Sequence, residues 1–317
     1  MYHAKDRGKS LAVAGLVPYL GMALGPIVGG LAAQHLRWEW LFWILSLFDG
    51  LCFVLGYFFL HETYGPVLER RKNGKMGKNN DTPFLARLLP RLKAPFQYLF
   101  LRPVVTLCAL AAGVDFGAYT LTLSIYASLW IDQYGQSPTT ASLHYIAISI
   151  GTILAAQLGG PLMDFVWRRM KAARKEDEPA LPEFRVPHMV IGAVPGTSCL
   201  FLFAWAGHLR WHWFIADFGV AVFAGANFMF TQGILAYLVD EFGSKRAASA
   251  GAAMRLPSYV LGFAFPIFAP NLQENLGYGL GISILGIVFG VIALVTVVAL
   301  WFYGEKLRAI GRRDEDE

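Results

Sequence analysis

Apolar residues in this chain gather into blocks of about twenty, divided by shorter polar stretches. Blocks of that length predict helices that cross a bilayer. Eight such spans are expected, at 10–34, 40–60, 103–128, 141–163, 188–206, 213–238, 248–270 and 279–302. The strands of a membrane barrel would be shorter and would alternate polar with apolar positions. Trp38, Trp40, Trp43, Trp130, Trp211 and Trp213 sit near span ends, where amphipathic rings favour the headgroup level.

Composition agrees with that pattern. The chain is 56% hydrophobic and 15% charged, against about a quarter charged for a soluble domain. Met1 to Lys9 is polar, and the apolar run after it is too long for a cleaved signal's hydrophobic core. Cys52, Cys108 and Cys199 all fall in apolar blocks, as packing residues rather than a disulfide framework.

Charge sets the expected sidedness. Of 27 lysines and arginines, all but Arg37, Arg210 and Arg255 lie before the first span, after the second, fourth and sixth, or in the C-terminal tail. Such asymmetry places both termini in the cytoplasm. The net charge of +5 therefore reads as membrane orientation, and no nucleic-acid partner is expected. The basic stretch 61–102 divides two spans from six. Within it, Phe84 to Phe100 mixes Leu and Phe with basic residues at helical spacing. It reads either as a helix lying on the anionic inner leaflet or as a solvated linker.

The first span contains Gly21-Met22-Ala23-Leu24-Gly25-Pro26-Ile27-Val28-Gly29-Gly30. Gly21, Gly25 and Gly29 recur every four residues and would let another helix approach closely. With Pro26 and Gly30, they resemble the antiporter motif in the fifth helix of major facilitator superfamily drug exporters; Ala12 stands where that pattern has an earlier glycine. His61 to Leu68 with Arg70-Arg71-Lys72 resembles the end of the sixth helix in fungal-type multidrug and polyamine proton antiporters. Pro182-Glu183-Phe184-Arg185-Val186-Pro187 resembles the entry to the ninth. Tyr237-Leu238-Val239-Asp240, Ala248-Ser249-Ala250, Arg255, Gly262, Pro266 and Phe268 resemble the tenth-to-eleventh region, and Tyr303 to Arg308 the C-terminal exit.

The resemblance implies an all-α membrane protein with a partial major facilitator fold, eight transmembrane helices matching helices five to twelve of the family's twelve. Asp6-Arg7-Gly8-Lys9 resembles the loop before the fifth helix, so the first four are expected to be absent. The implied domains are 1–60, a two-helix remnant of the N-terminal bundle; 61–102, a cytoplasmic basic linker; 103–305, a complete C-terminal six-helix bundle; and 306–317, a cytoplasmic tail. Substrate and coupling-ion sites of this superfamily lie between the two halves, so impaired or absent transport is expected of this chain alone.

Candidate residues follow. Gly160, Asp164, Arg168 and Arg169 resemble the superfamily's cytoplasmic loop signature. There the aspartate would latch one conformation, with a partner expected near Arg7 to Ser10; an exposed charge at a span end is the alternative. Arg255, inside the seventh span, reads as a gating ion pair or as a side chain snorkelling to the surface. Asp115 and Asp49, near mid-span, are the proton-coupling candidates, with a cavity-facing acid as the alternative. Asp217 lies only a few residues into its span, where interfacial solvation suffices. Tyr119, Tyr126, Asn227, Phe228, Gln232 and Ser258 are candidates for an aromatic and polar cavity wall, each with packing as the competing role.

The sequence has no His-Glu-x-x-His, no nucleophile with an obvious base and no Gly-x-x-x-x-Gly-Lys-Ser/Thr loop. No catalytic residue, metal or cofactor is expected. The leading expectation is proton-coupled export of drugs, polyamines or other small amphipathic molecules, with the lipid bilayer, a small-molecule substrate and protons as partners. The other is a non-transporting membrane protein that associates with a full-length relative. The plasma membrane or an internal membrane such as the vacuole is the expected location.

Overall fold

Proline opens several rods of this protein, and glycine breaks the last element in two places. A computed structural model describes residues 21, 24–32, 34–59, 72, 84–173 and 181–310. Residues 24–32 are helical. After them come α1 (Glu39–Phe59), α2 (Phe84–Leu101), α3 (Pro103–Asp132), the short α4 (Pro138–Leu143), α5 (Tyr145–Ala172), a 3-10 turn (Pro182–Arg185) and α6 (Val186–His208). Proline stands at the first turn of α3, α4, the 3-10 turn and α6, where its missing N–H has no helical partner to lose. Ser137 caps α4, its hydroxyl accepting the Thr140 N–H at 3.2 Å.

The last element, Trp213–Ala309, is interrupted at Gly243 (φ 64°) and Gly277 (φ 69°). These two left-handed residues, a conformation costly for any side chain, turn the chain twice. They divide it into α7 (213–242), α8 (244–276) and α9 (278–309).

Each span expected from 103 onward lies inside a helix, except 141–163, which runs from α4 across His144 into α5. The helices are longer than the apolar cores that signalled them, as 103–128 against Pro103–Asp132 and 141–163 within Pro138–Ala172 show. The additional turns carry the polar ends. The expected 40–60 span is α1, none of whose residues is buried.

Helices α3 and α5 to α9 pack into one bundle. Gly113 of α3 faces Pro257 and Leu261 of α8, and Gly196 of α6 faces Phe289 of α9. Helices α5 and α7 touch backbone to backbone. A Cβ added at Gly151 would overlap the Ala221 carbonyl, and one added at Gly225 would lie 2.7 Å from the Gly151 carbonyl oxygen. Two apolar clusters fill the interior. One, around Tyr126, Trp130, Phe203 and Phe223, lies toward the end where α3 finishes. The other, around Met189, Phe230, Tyr237 and Phe289, lies toward the end where α3 begins. We call the latter the basic end.

Helix α2 realises the periodicity read at Phe84 to Phe100. Its Tyr98 meets Phe242 edge-on at 5.2 Å, and Leu99 packs on the second cluster. Leu92, Phe96 and Phe100 are exposed on its other side.

Candidate functional site

Asp115 lies midway along α3 and is fully enclosed. Two neutral donors from α7 satisfy its carboxylate: the Asn227 side-chain amide reaches Oδ1 at 2.7 Å and the Thr231 hydroxyl reaches Oδ2 at 2.8 Å. The same Asn227 amide also donates to the Asp115 backbone carbonyl at 3.0 Å. Asn227 and Thr231 are four residues apart, so one face of α7 presents both. In an apolar interior each unpaired polar atom costs a few kcal/mol, which explains why both oxygens are bonded. The sequence reading named Asp115 and Asn227 separately. It missed Thr231, whose spacing from Asn227 was the available signal.

A second polar cluster lies at the opposite end from the basic one, and it corrects the reading of Asp217. Asp217 is 8% exposed, so solvent at the interface is not what satisfies it. The Tyr126 hydroxyl donates to Oδ1 at 2.7 Å, and His144 Nδ1 lies 2.7 Å from Oδ2. His144 Nε2 lies 3.0 Å from Gln136 Oε1. The indole of Trp130 stacks on the His144 ring, with centroids 3.6 Å apart and planes within 6°. Tyr126, read as cavity wall, is fully buried and has its hydroxyl committed to this cluster. Gln136 precedes α4 and lies outside the expected spans, while His144, which joins α4 to α5, lies within the expected 141–163 span but was not singled out. Their meeting with Asp217 depends on the packing of α5 against α7. A cavity of about 670 Å³ adjoins the cluster, lined by His144 and Asp217 together with Ile146, Trp213, Phe214 and Phe218.

The third cluster closes the basic end. Arg308 of α9 pairs with Glu183 of the 3-10 turn at 2.8 Å and with Glu241 of α7 at 3.2 Å. Arg185 pairs with Asp240 at 2.7 Å. Gly304 makes room for the Glu183 carboxylate, which an added Cβ would overlap. Three stretches noted separately in sequence, at 182–187, 237–240 and 303–308, thus meet in one network.

The remaining candidates are placed as follows. Asp164, Arg168 and Arg169 are exposed, and no ion pair joins Asp164 to another described residue. The Arg7 to Ser10 partner expected for it lies outside the described residues, as does the His61 to Leu68 stretch. Arg255 is exposed on α8 and Asp49 on α1. Tyr119 is half-buried and tilted against Phe223 with centroids 6.4 Å apart. Phe228 and Gln232 are half-buried on α7. Ser258 donates to the Met254 carbonyl of its own helix at 3.2 Å. In the glycine-rich segment, a Cβ at Gly21, Gly25 or Gly29 would meet nothing within 4 Å, whereas one at Gly30 would overlap Ser142 of α4. Pro26 is half-buried, and Gln34 accepts a hydrogen bond from Thr139.

Comparison with known proteins agrees with these features. The family model described as Major Facilitator Superfamily matches residues 1–266. An uncharacterized transporter of Schizosaccharomyces pombe is 34% identical over 98% of this chain and 65% of its own length. A protein of Aspergillus flavus named as a probable efflux pump, mfs2, is 33% identical over 97% of this chain and 75% of its own. The efflux pump vrtL of Penicillium aethiopicum is 31% identical over 98% and 63%. The chain therefore spans roughly two thirds of the length of the relatives it matches. The helical bundle, the matched length and these relatives establish that the chain belongs to the Major Facilitator Superfamily.

Proposed function

We propose that this protein serves proton-coupled export of small amphipathic molecules, drugs and polyamines among them. The observation that carries the reading is the Asp115 site. A carboxylate enclosed in the bundle has only neutral donors, Asn227 and Thr231, on its oxygens. Among the described residues no cation is paired with it. Gaining or losing a proton there changes the charge in the middle of an apolar structure, and a carrier couples proton movement to conformation through such a change. Relatives named as efflux pumps support the direction of transport. Positive charge at the basic end supports placing that end, and both termini, in the cytoplasm.

In this reading Asp115 carries the proton, while Asn227 and Thr231 hold its carboxyl group in place. Asp164, Arg168, Arg169 and Arg255 are exposed at positions suited to pairing across a moving interface. Asp49 is a secondary proton-carrying candidate.

The test is reconstitution in liposomes with an imposed pH gradient and a fluorescent cationic substrate. Flux by this chain alone is expected to be impaired, and Asp115→Asn is expected to lose at least about tenfold of whatever gradient-driven movement of the probe the parent retains. Gradient-driven flux unchanged in Asp115→Asn would remove Asp115 from the mechanism.

A further inference from the structure

A cavity of about 930 Å³ lies at the basic end, between the last turns of α5 and α9 and beside the 3-10 turn. Its apolar walls are Met170 of α5, Leu181 and Phe184 at the 3-10 turn, and Trp301 and Phe302 of α9. Trp301 and Phe302 are 44% and 71% exposed. They stand where the expected 279–302 span ends, the level at which aromatic rings meet lipid headgroups.

The charges that line this cavity balance, Arg169 and Arg308 against Glu183 and Glu305. The inner pair is bonded, Arg308 to Glu183 at 2.8 Å. Each of these two side chains still keeps one buried polar atom without a hydrogen-bond partner among the described residues: Arg308 Nε, a donor, and Glu183 Oε2, an acceptor. The outer pair is different. Arg169 on α5 and Glu305 on α9 are both exposed, and among the described residues neither forms an ion pair. They line one cavity from two helices without meeting.

A cation and an anion held apart in one cavity match a ligand that carries both charges on a short linker. A lone anion would gain Arg169 and be repelled by Glu305, and a lone cation would meet the reverse. We propose that this cavity binds a phospholipid whose headgroup ends in a primary ammonium, the phosphoethanolamine class. The phosphate takes Arg169, whose planar fork of donors suits phosphate oxygens. The ammonium, with three N–H donors, takes Glu305. Arg308 Nε and Glu183 Oε2 give the inner wall the same two kinds of group, a donor and an acceptor. A choline headgroup, fully methylated, has no N–H to give Glu305. The acyl chains run past Trp301 and Phe302 into the bilayer. That aromatic rim selects a lipid over a soluble molecule with the same headgroup, because only the chains cover it. The bound headgroup ties the end of α5 to the end of α9.

This site is separate from Asp115 and needs no flux. The experiment is native mass spectrometry of the full chain in detergent micelles, titrated with dioleoyl phosphatidylethanolamine. The phosphatidylcholine and phosphatidylglycerol with the same chains are titrated separately. Phosphatidylethanolamine is expected to bind at least about threefold more tightly than either, a difference of the size that one partly exposed charge contact supplies. Arg169→Gln should weaken its binding by a similar factor. Glu305→Gln should erase the preference for ethanolamine over choline and strengthen binding of phosphatidylglycerol, a change of selectivity that a merely structural effect would not produce. Both side chains are exposed, so the substitutions leave the fold intact. Lys171 is a basic neighbour on α5 that lies 5.4 Å from the Trp167 ring and does not line the cavity. Lys171→Gln should bind as the parent does. Glycerophosphoethanolamine, the headgroup without chains, should compete poorly. Equal affinity for the three lipids, a preference for phosphatidylglycerol, unchanged selectivity in Glu305→Gln, unchanged affinity in Arg169→Gln, an equal loss in Lys171→Gln, or full competition by the chainless headgroup would each overturn the proposal.

Discussion

Thr231 shows how much one side chain decides in an apolar interior. Its hydroxyl holds one oxygen of Asp115 while Asn227 holds the other. Thr231→Val keeps the shape and removes the donor. The expected cost is about 1–3 kcal/mol, the penalty for leaving a buried acceptor unsatisfied. Thermal unfolding of the detergent-purified variant measures it, and Thr231→Ser should recover most of the loss. If Thr231→Val is as stable as the parent, the hydrogen bond is not contributing as described. At this scale the sequence was informative about residue type and poor about company. A carboxylate in a span was visible at Asp115 and at Asp217. That both are enclosed, and by what, required knowing that α3 and α5 lie beside α7.

Among elements, the contact of α5 with α7 decides most. Gly151 and Gly225 let the two backbones touch, and this packing brings His144 to Asp217. Gly151→Leu is expected to separate the helices and destabilise the protein by about 1–3 kcal/mol, as overpacking does elsewhere. An unchanged unfolding temperature would show that the helices have room to spare. The two corners of the last element give a further expectation. At Gly277, with φ 69° and ψ 176°, a backbone region almost confined to glycine, alanine costs about 1–3 kcal/mol, readable as a drop in unfolding temperature. The glycine-rich segment behaves differently from its appearance in sequence. Spacing by four marked Gly21, Gly25 and Gly29, but the close contact falls on Gly30, against Ser142. Periodicity identifies a face of a helix, and only the neighbour's position tells which residue of that face is touched.

For the molecule as a whole, Arg308 ties three distant stretches together. Arg308→Met takes from Glu183 and Glu241, whose side chains are 12% and 5% exposed, the guanidinium that both of them bond. Breaking a buried pair from one side costs about 3–5 kcal/mol, so this variant is expected to unfold at a distinctly lower temperature. The paired change to Glu183→Gln in the same chain should recover part of it; a variant as stable as the parent would show that the pairs contribute little. The basic end is also expected on the cytoplasmic side. Cysteine placed at Lys75 should react with a membrane-impermeant reagent only after the membrane is opened; labelling in intact cells would reverse the orientation. The sequence by itself determined the helical class, the positions of the apolar rods and the family, because burial in lipid demands long apolar runs and the superfamily's motifs are local in the chain. The tertiary structure decided which polar groups meet. Asp115 with Thr231, His144 with Asp217, and Arg308 with Glu183 are separated by 116, 73 and 125 residues. No local periodicity encodes such pairings; they follow from the way small residues let particular helices close on one another.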